Sequence, residues 1–309
     1  MTQMRKRSKS VDSQTEASLP GESAVRMLEE SKIGIVGANR PGLDVPALDG
    51  NERDNSALTS EFFSAGQRSW VLDRKMLLSF GGMEEFHATE EFRSIRNQLY
   101  RRREERDLKS LLIASAVPKE GRSFVAVNLA QVLALQADCR VLLIDGDLRN
   151  PGLHEAFGTS RHPGLSEYLV RECDELDGIQ AGSIENLFFL PSGGPTASPS
   201  ELAASGRLKT LLKNVRSLFD WVIVDSSPAA VLDPSLFAHQ CDGVLMVVRA
   251  NSTPFDVARK ARMKFGSESV VGVVLNRIVE RVPVQNQQAQ NREEPAREIA
   301  RVQELLAEE

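Results

Sequence analysis

The chain has 309 residues, 41% hydrophobic and 26% charged, with a formal net charge of -5. That length accommodates one large α/β domain with tails, or two small domains, and the composition is ordinary for a globular protein. The acidic balance argues against general nucleic-acid binding, which needs a basic surface, and no apolar run approaches the roughly 18 residues that span a bilayer.

Residues 1–85 are rich in Ser, Glu, Gly and Asn, with short apolar interruptions such as Ile33–Val36 and Trp70–Leu72. This reads as a mostly flexible arm with one short helix around Ser23–Ser31. Basic residues near the start, Arg5 to Lys9, lack an apolar stretch behind them, so no secretory signal is expected. From about residue 86 the pattern changes. Apolar runs recur at Leu111–Ala114, Val141–Ile144, Leu187–Leu190, Trp221–Val224, Val244–Val248 and Val270–Leu275. Several are apolar at nearly every position, as in strands covered on both faces. Helical periodicity marks Phe124–Gln136, Ser205–Leu218 and Pro254–Phe265. Alternating strands and helices imply an α/β fold, a doubly wound and mostly parallel sheet with helices on both faces, spanning 86–283. Residues 284–309 form a polar tail with a short helix expected at Pro295–Leu306. Cys139, Cys173 and Cys241 are odd in number, widely spaced, and form no metal-ligand pattern with the four histidines. Free thiols in a reducing cytoplasm are the expected state.

Ligands of such sheets sit at the carboxyl ends of the strands, and three polar loops fall there. The first, Ala116-Val117-Pro118-Lys119-Glu120-Gly121-Arg122-Ser123-Phe124, is a glycine-bearing turn between a buried strand and a helix. Such a turn aims backbone N–H groups at phosphate, and Ser123 is placed to offer its hydroxyl to Mg²⁺. The second carries Asp145 and Asp147 directly after four apolar residues, at the two-residue spacing that puts both carboxylates on one strand face. The third ends a buried strand in Asp225, with Pro228 shortly after. Each alone fits a plain strand-end turn. Their order in one chain points to a phosphate site with metal-holding acids.

With these residues in view, the chain resembles the bacterial tyrosine kinases of the capsule and exopolysaccharide class, the CpsD/CapB-like group of the ParA/MinD P-loop superfamily. That family's first motif, S-A-x-P-G-E-G-K-S-T, is matched by Ser115 to Phe124. Its D-x-D-x-R motif is matched by Asp145 to Arg149, and its D-x-x-P by Asp225 to Pro228. Leu190–Gly194, Pro199–Leu202, Gly272–Asn276 and the E-x-x-R-x-x-R stretch of Glu90, Arg93 and Arg96 add to the likeness. It covers about residues 85–280. The resemblance implies ATP·Mg²⁺ bound on residues 116–124, with Asn276 reading the adenine. Ser123, Asp147 and Asp225 would hold the metal, and Asp145, Asp147 and Arg122 would serve the transfer of phosphate to protein tyrosine. It further implies a cytoplasmic location beside a membrane-embedded polysaccharide co-polymerase or activator, and self-assembly through Glu90, Arg93 and Arg96.

The sequence departs from that family at three places in one loop. Arg122 replaces the lysine, Lys119 replaces a glycine, and Phe124 replaces a threonine. Arginine keeps the charge but is a planar fork where lysine is a compact point charge. The family's tyrosine-rich tail is not expected, since the chain has only Tyr100 and Tyr168, so any kinase activity would act in trans on another protein or on an atypical site. Alongside the kinase stand two other readings. One is a nucleotide-binding scaffold that regulates polysaccharide assembly without efficient transfer. The other is a MinD/ParA-like positioning ATPase, whose early signature lysine is Val117 here.

Overall fold

The computed structural model describes residues 24–28, 70–73, 76, 83–229 and 235–278. The sequence expectations at Ile33–Val36 and beyond residue 283 lie outside the described residues. Eight strands form one sheet: β1 (Ala24–Leu28), β2 (Ser110–Ser115), β3 (Val141–Asp145), β4 (Gln180–Ala181), β5 (Leu187–Leu190), β6 (Trp221–Asp225), β7 (Gly243–Arg249) and β8 (Val270–Ile278). Their spatial order is β1-β8-β7-β2-β6-β3-β5-β4. The pairs among β8, β7, β2, β6, β3 and β5 are parallel, and only the two edge strands run antiparallel to their neighbours. The α/β, doubly wound, mostly parallel sheet expected from the sequence is the sheet that forms.

Strands apolar at every position face two separate cores. Leu112, Ala114, Leu142 and Ile144 belong to one hydrophobic cluster, and Leu111, Ile113, Val141 and Leu143 to the other. Successive side chains of a strand point to opposite faces, so both sets must be apolar when helices cover both sides. The second cluster lies beneath α1 (Met83–Glu105) and α2 (Arg122–Ala134). Helix α2 is buried over most of its circumference because Phe92, Ile95 and Leu99 of α1 join its outer side to the same core. The first cluster is covered by α4 (Leu165–Val170), α5 (Pro199–Ala204), α6 (Arg207–Val215), α7 (Ser235–Ala238) and α8 (Phe255–Phe265), while the short α3 (Leu153–Ala156) follows β3.

The helix expected around Ser23–Ser31 is instead the strand β1, which pairs antiparallel with β8 from Leu28↔Val273 to Ala24↔Ile278. An isolated helix this short is marginal in water, whereas the open edge of β8 offers ready hydrogen-bond partners. A second piece of the N-terminal region also enters the fold. Trp70 is fully buried, its ring meets Phe157 edge-on at 4.7 Å, and its Nε1 donates to the Gln180 carbonyl at 3.1 Å.

Candidate functional site: a phosphate cradle closed over an arginine–carboxylate cluster

Strand β2 lies between β7 and β6, and β6 between β2 and β3, so the loops after β2, β3 and β6 meet at one end of the sheet. Asp145 and Asp225 are register partners at the ends of adjacent strands. Gly146 brings the following turn close: its N–H donates to the Asp225 carbonyl at 2.7 Å, and a β-carbon there would stand 2.6 Å from that same oxygen. The D-G-D spelling therefore reflects a backbone contact as well as a pair of acids.

The loop between β2 and α2 turns through two left-handed residues, Lys119 at φ +68° and Gly121 at φ +91°. It is pinned from below by Glu120, which is buried. The Glu120 carboxylate accepts the Val117 N–H at 2.8 Å, the Thr253 hydroxyl at 2.6 Å and the Arg249 N–H at 3.3 Å. Asn276 donates from Nδ2 to the Glu120 carbonyl at 2.7 Å and lies against Gly121, where a β-carbon would come within 2.0 Å of it. Asn276, expected to read adenine, is thus placed under the loop as a brace. Phe124 packs edge-on against Phe92 of α1, with ring centroids 6.2 Å apart, and so ties the loop to the outer helix. Above the loop is a cavity of about 370 Å³ bordered by Gly121, Ser123, Phe124, Asp147 and Asn150. Met76 of the N-terminal region also borders it.

Arg122 borders this cavity too, but its guanidinium is bound by the acids at the cavity's edge. Its side chain turns inward, 8% exposed, and joins the acids. Nε donates to Asp225 Oδ1 at 2.6 Å, Nη2 to Asp147 Oδ2 at 3.2 Å, and Nη1 reaches the Ser115 hydroxyl at 3.5 Å. The fork engages two carboxylates at once, which one ammonium on a flexible stem does less well. The two acids hold Arg122 firmly charged against the effect of burial. Burial pushes the Asp225 carboxyl up, and Arg122 and the Ser123 hydroxyl pull it part of the way back. The other Asp147 oxygen accepts from the Ser227 hydroxyl at 2.6 Å and from the backbone N–H groups of Asn150 at 3.0 Å and Arg149 at 3.3 Å.

Asp145 is completely buried. Its oxygens accept the N–H groups of Asp147 and Leu153, each at 3.2 Å. Burial, with Asp225 beside it, pushes its carboxyl up to about 8, against the pull of those two N–H groups. It is shut off from solvent, so in this conformation it holds the loop after β3 and is not presented to an incoming hydroxyl.

The structure brings together Ala116 to Phe124, Asp145, Asp147, Asp225 and Asn276, all named from the sequence. A divalent cation on Ser123, Asp147 and Asp225 does not fit that donor set as it stands, because Arg122 and Ser123 already occupy Asp225 and Arg122 and Ser227 occupy Asp147. Sequence reasoning missed Thr253, Ser227 and Met76. The second serine of Asp225-Ser226-Ser227-Pro228 was a visible signal for Ser227, whereas Thr253 and Met76 carry none, since only folding brings them near the loop. The Glu90–Arg93–Arg96 face is split: Glu90 and Arg93 form an exposed pair, while Arg96 donates to the Val132 carbonyl of α2 at 3.3 Å.

No protein-family model matches the chain. It is similar to the tyrosine-protein kinase YwqD of Bacillus subtilis, 34% identical over 191 residues that make up 61% of this chain and 80% of that protein. It is also similar to the succinoglycan biosynthesis transport protein ExoP of Rhizobium meliloti, 39% identical over 176 residues, 54% of this chain and 22% of that protein. Among solved structures, the kinase domain of the Escherichia coli tyrosine kinase ETK superposes with a TM-score of 0.61 at 29% identity, covering 64% of this chain and 78% of that one. Fold, loop order and relatives agree, and the chain belongs to the bacterial tyrosine-protein kinase family.

Proposed function

We propose that this chain binds ATP on residues 116–124 as a nucleotide-responsive regulator of capsule or exopolysaccharide synthesis, with phosphoryl transfer to protein tyrosine slowed by Arg122. One observation carries the reading: the Arg122 guanidinium lies 2.6 Å from Asp225 and 3.2 Å from Asp147 and so is spent on the protein's own acids. A transferring γ-phosphate needs charge brought to it, and removing one well-placed donor lowers such rates by about 10²–10³. The loop itself remains a cradle, with an apolar strand before it, Gly121 at its turn and the N-terminus of α2 behind it.

The tyrosines support the same reading. Tyr168 is buried beneath the Arg207 guanidinium, 4.8 Å from its ring centre. Tyr100 is half-buried, accepts the Trp221 indole N–H at 3.3 Å, and burial pushes its phenol up to about 12. Neither is presented as an acceptor, so any phosphorylated tyrosine belongs to another protein. Among the described residues no helix is long and apolar enough to cross a membrane. A polysaccharide co-polymerase in the membrane is the natural partner, and the match to one segment of the much longer ExoP supports this. Self-assembly through α1 would rest on the exposed pair Glu90 and Arg93.

The test incubates the whole chain with γ-labelled ATP, Mg²⁺ and a Glu–Tyr copolymer, wild type beside Arg122→Lys. Tyrosine labelling by Arg122→Lys should exceed that by wild type by about 10²–10³. Wild-type labelling as fast as the variant's would make the chain an ordinary tyrosine kinase and remove this reading.

A further inference from the structure

We infer that the Arg122 guanidinium is the resident cation of this site, taking the place that a divalent metal would hold between Asp147 and Asp225, so that nucleotide binding here does not depend on Mg²⁺. The inference rests on the nucleotide-binding reading above and goes beyond it. In a nucleotide site, paired carboxylates facing phosphate repel it unless a cation stands between them, and a metal ion is the usual cation. Here the cation is part of the chain. The guanidinium spans Asp225 Oδ1 and Asp147 Oδ2 and reaches the Ser115 hydroxyl, while Ser123, the expected metal-holding hydroxyl, donates to Asp225. The Asp147 oxygen that Arg122 leaves is filled by Ser227 and two backbone N–H groups.

A hard cation needs free oxygen lone pairs at short range and releases its waters reluctantly. These carboxylates offer it few, and both sit deep in the fold, at 1% and 6% exposure. To bind the metal they would have to surrender a buried two-carboxylate fork. Lysine in place of Arg122 has one charged nitrogen and cannot bridge both acids as the fork does. Arg122→Lys should therefore return the acids to a metal.

The experiment titrates ADP and ATP into the whole chain by calorimetry, in excess Mg²⁺ and in EDTA. In parallel, Mn²⁺ uptake is followed by electron paramagnetic resonance without nucleotide. For wild type, Mg²⁺ should change either affinity by less than about threefold, whereas for Arg122→Lys it should tighten binding by more than about tenfold. Mn²⁺ should bind only the variant. Tightening of wild type by Mg²⁺ of about tenfold or more, or Mn²⁺ uptake by wild type, overturns the inference while leaving the nucleotide-binding reading in place. No binding of either nucleotide by wild type in either buffer overturns both. If Arg122→Lys fails to fold, the wild-type comparison still decides.

Discussion

Arg122 and Lys119 show how much one loop position can change. A lysine at 122 could extend past the acids to a phosphate. An arginine beside the same acids meets two carboxylates at the geometry its fork prefers, and burial strengthens both contacts. The sequence retained the charge, and the fold redirected it. Lys119 differs in kind, because its side chain is exposed while its backbone sits at φ +68°. A β-carbon in that region costs about 1–2 kcal/mol, part of which glycine gives back through the entropy of its unfolded chain. Lys119→Gly should raise stability in urea by about 0.5–1 kcal/mol, and Lys119→Ile should lower it by about 1 kcal/mol. A loss on Lys119→Gly would show that the lysine side chain, not its backbone, fixes the loop.

At the scale of elements, the segment bearing Trp70 is the most consequential piece that lies outside the repeating pattern. Its indole is fully buried between Phe157 and Gly182, and the chain after it bonds to α3 and the residue beyond, with Val71 N–H on the Phe157 carbonyl and Asp73 N–H on the Ala156 carbonyl. A few residues later, Met76 reaches the cavity and its carbonyl accepts from Gln131 at 3.4 Å. Trp70→Ala should cost about 3–5 kcal/mol in urea, as large aromatic-to-alanine changes in cores do. A cost below about 1 kcal/mol would mean that this segment is only laid on the domain. The sequence showed Trp70 as an isolated apolar interruption, because periodicity needs several turns or several alternations and a single anchor has neither. The six central strands were legible for the opposite reason: burial on both faces writes long apolar runs. β1 and β4 were not, being short edge strands of five and two residues whose partners are set by tertiary contact. Within the site, motif spacing identified Asp145, Asp147 and Asp225. Which of them would be paired, protonated or sealed depended on their adjacency across β3 and β6, and no spacing along the chain encodes that.

For the whole molecule, the acids at the two ends of the sheet oppose one another in their dependence on pH. Asp145, at the site end, has its carboxyl raised by burial and by Asp225, so the folded chain keeps a proton there that the unfolded chain gives up above about pH 4. Its effect is a loss of stability as pH rises from that value through about 8. Asp242, just before β7 at the other end, behaves in the reverse sense. Burial alone would raise it, but the N–H groups of Ser110 at 2.7 Å and Lys109 at 3.0 Å, the Ser110 hydroxyl at 2.8 Å and Arg216 at 3.0 Å outweigh burial and hold it below the ordinary carboxylate range. A lowered folded value means stability fully present above about pH 4 and lost as pH falls through the folded value. Asp242→Asn should therefore cost about 1–2 kcal/mol at pH 7, discounted for its partial exposure. Both chains keep Asp145, so its opposing slope cancels when wild type and variant are compared. The gap between their urea midpoints should be constant from pH 7 to about pH 5 and close below about pH 4. A gap that persists unchanged to about pH 3 would show that the Asp242→Asn variant fails on shape and hydrogen-bonding alone, and that the carboxylate charge is not what joins the start of β2 to β7.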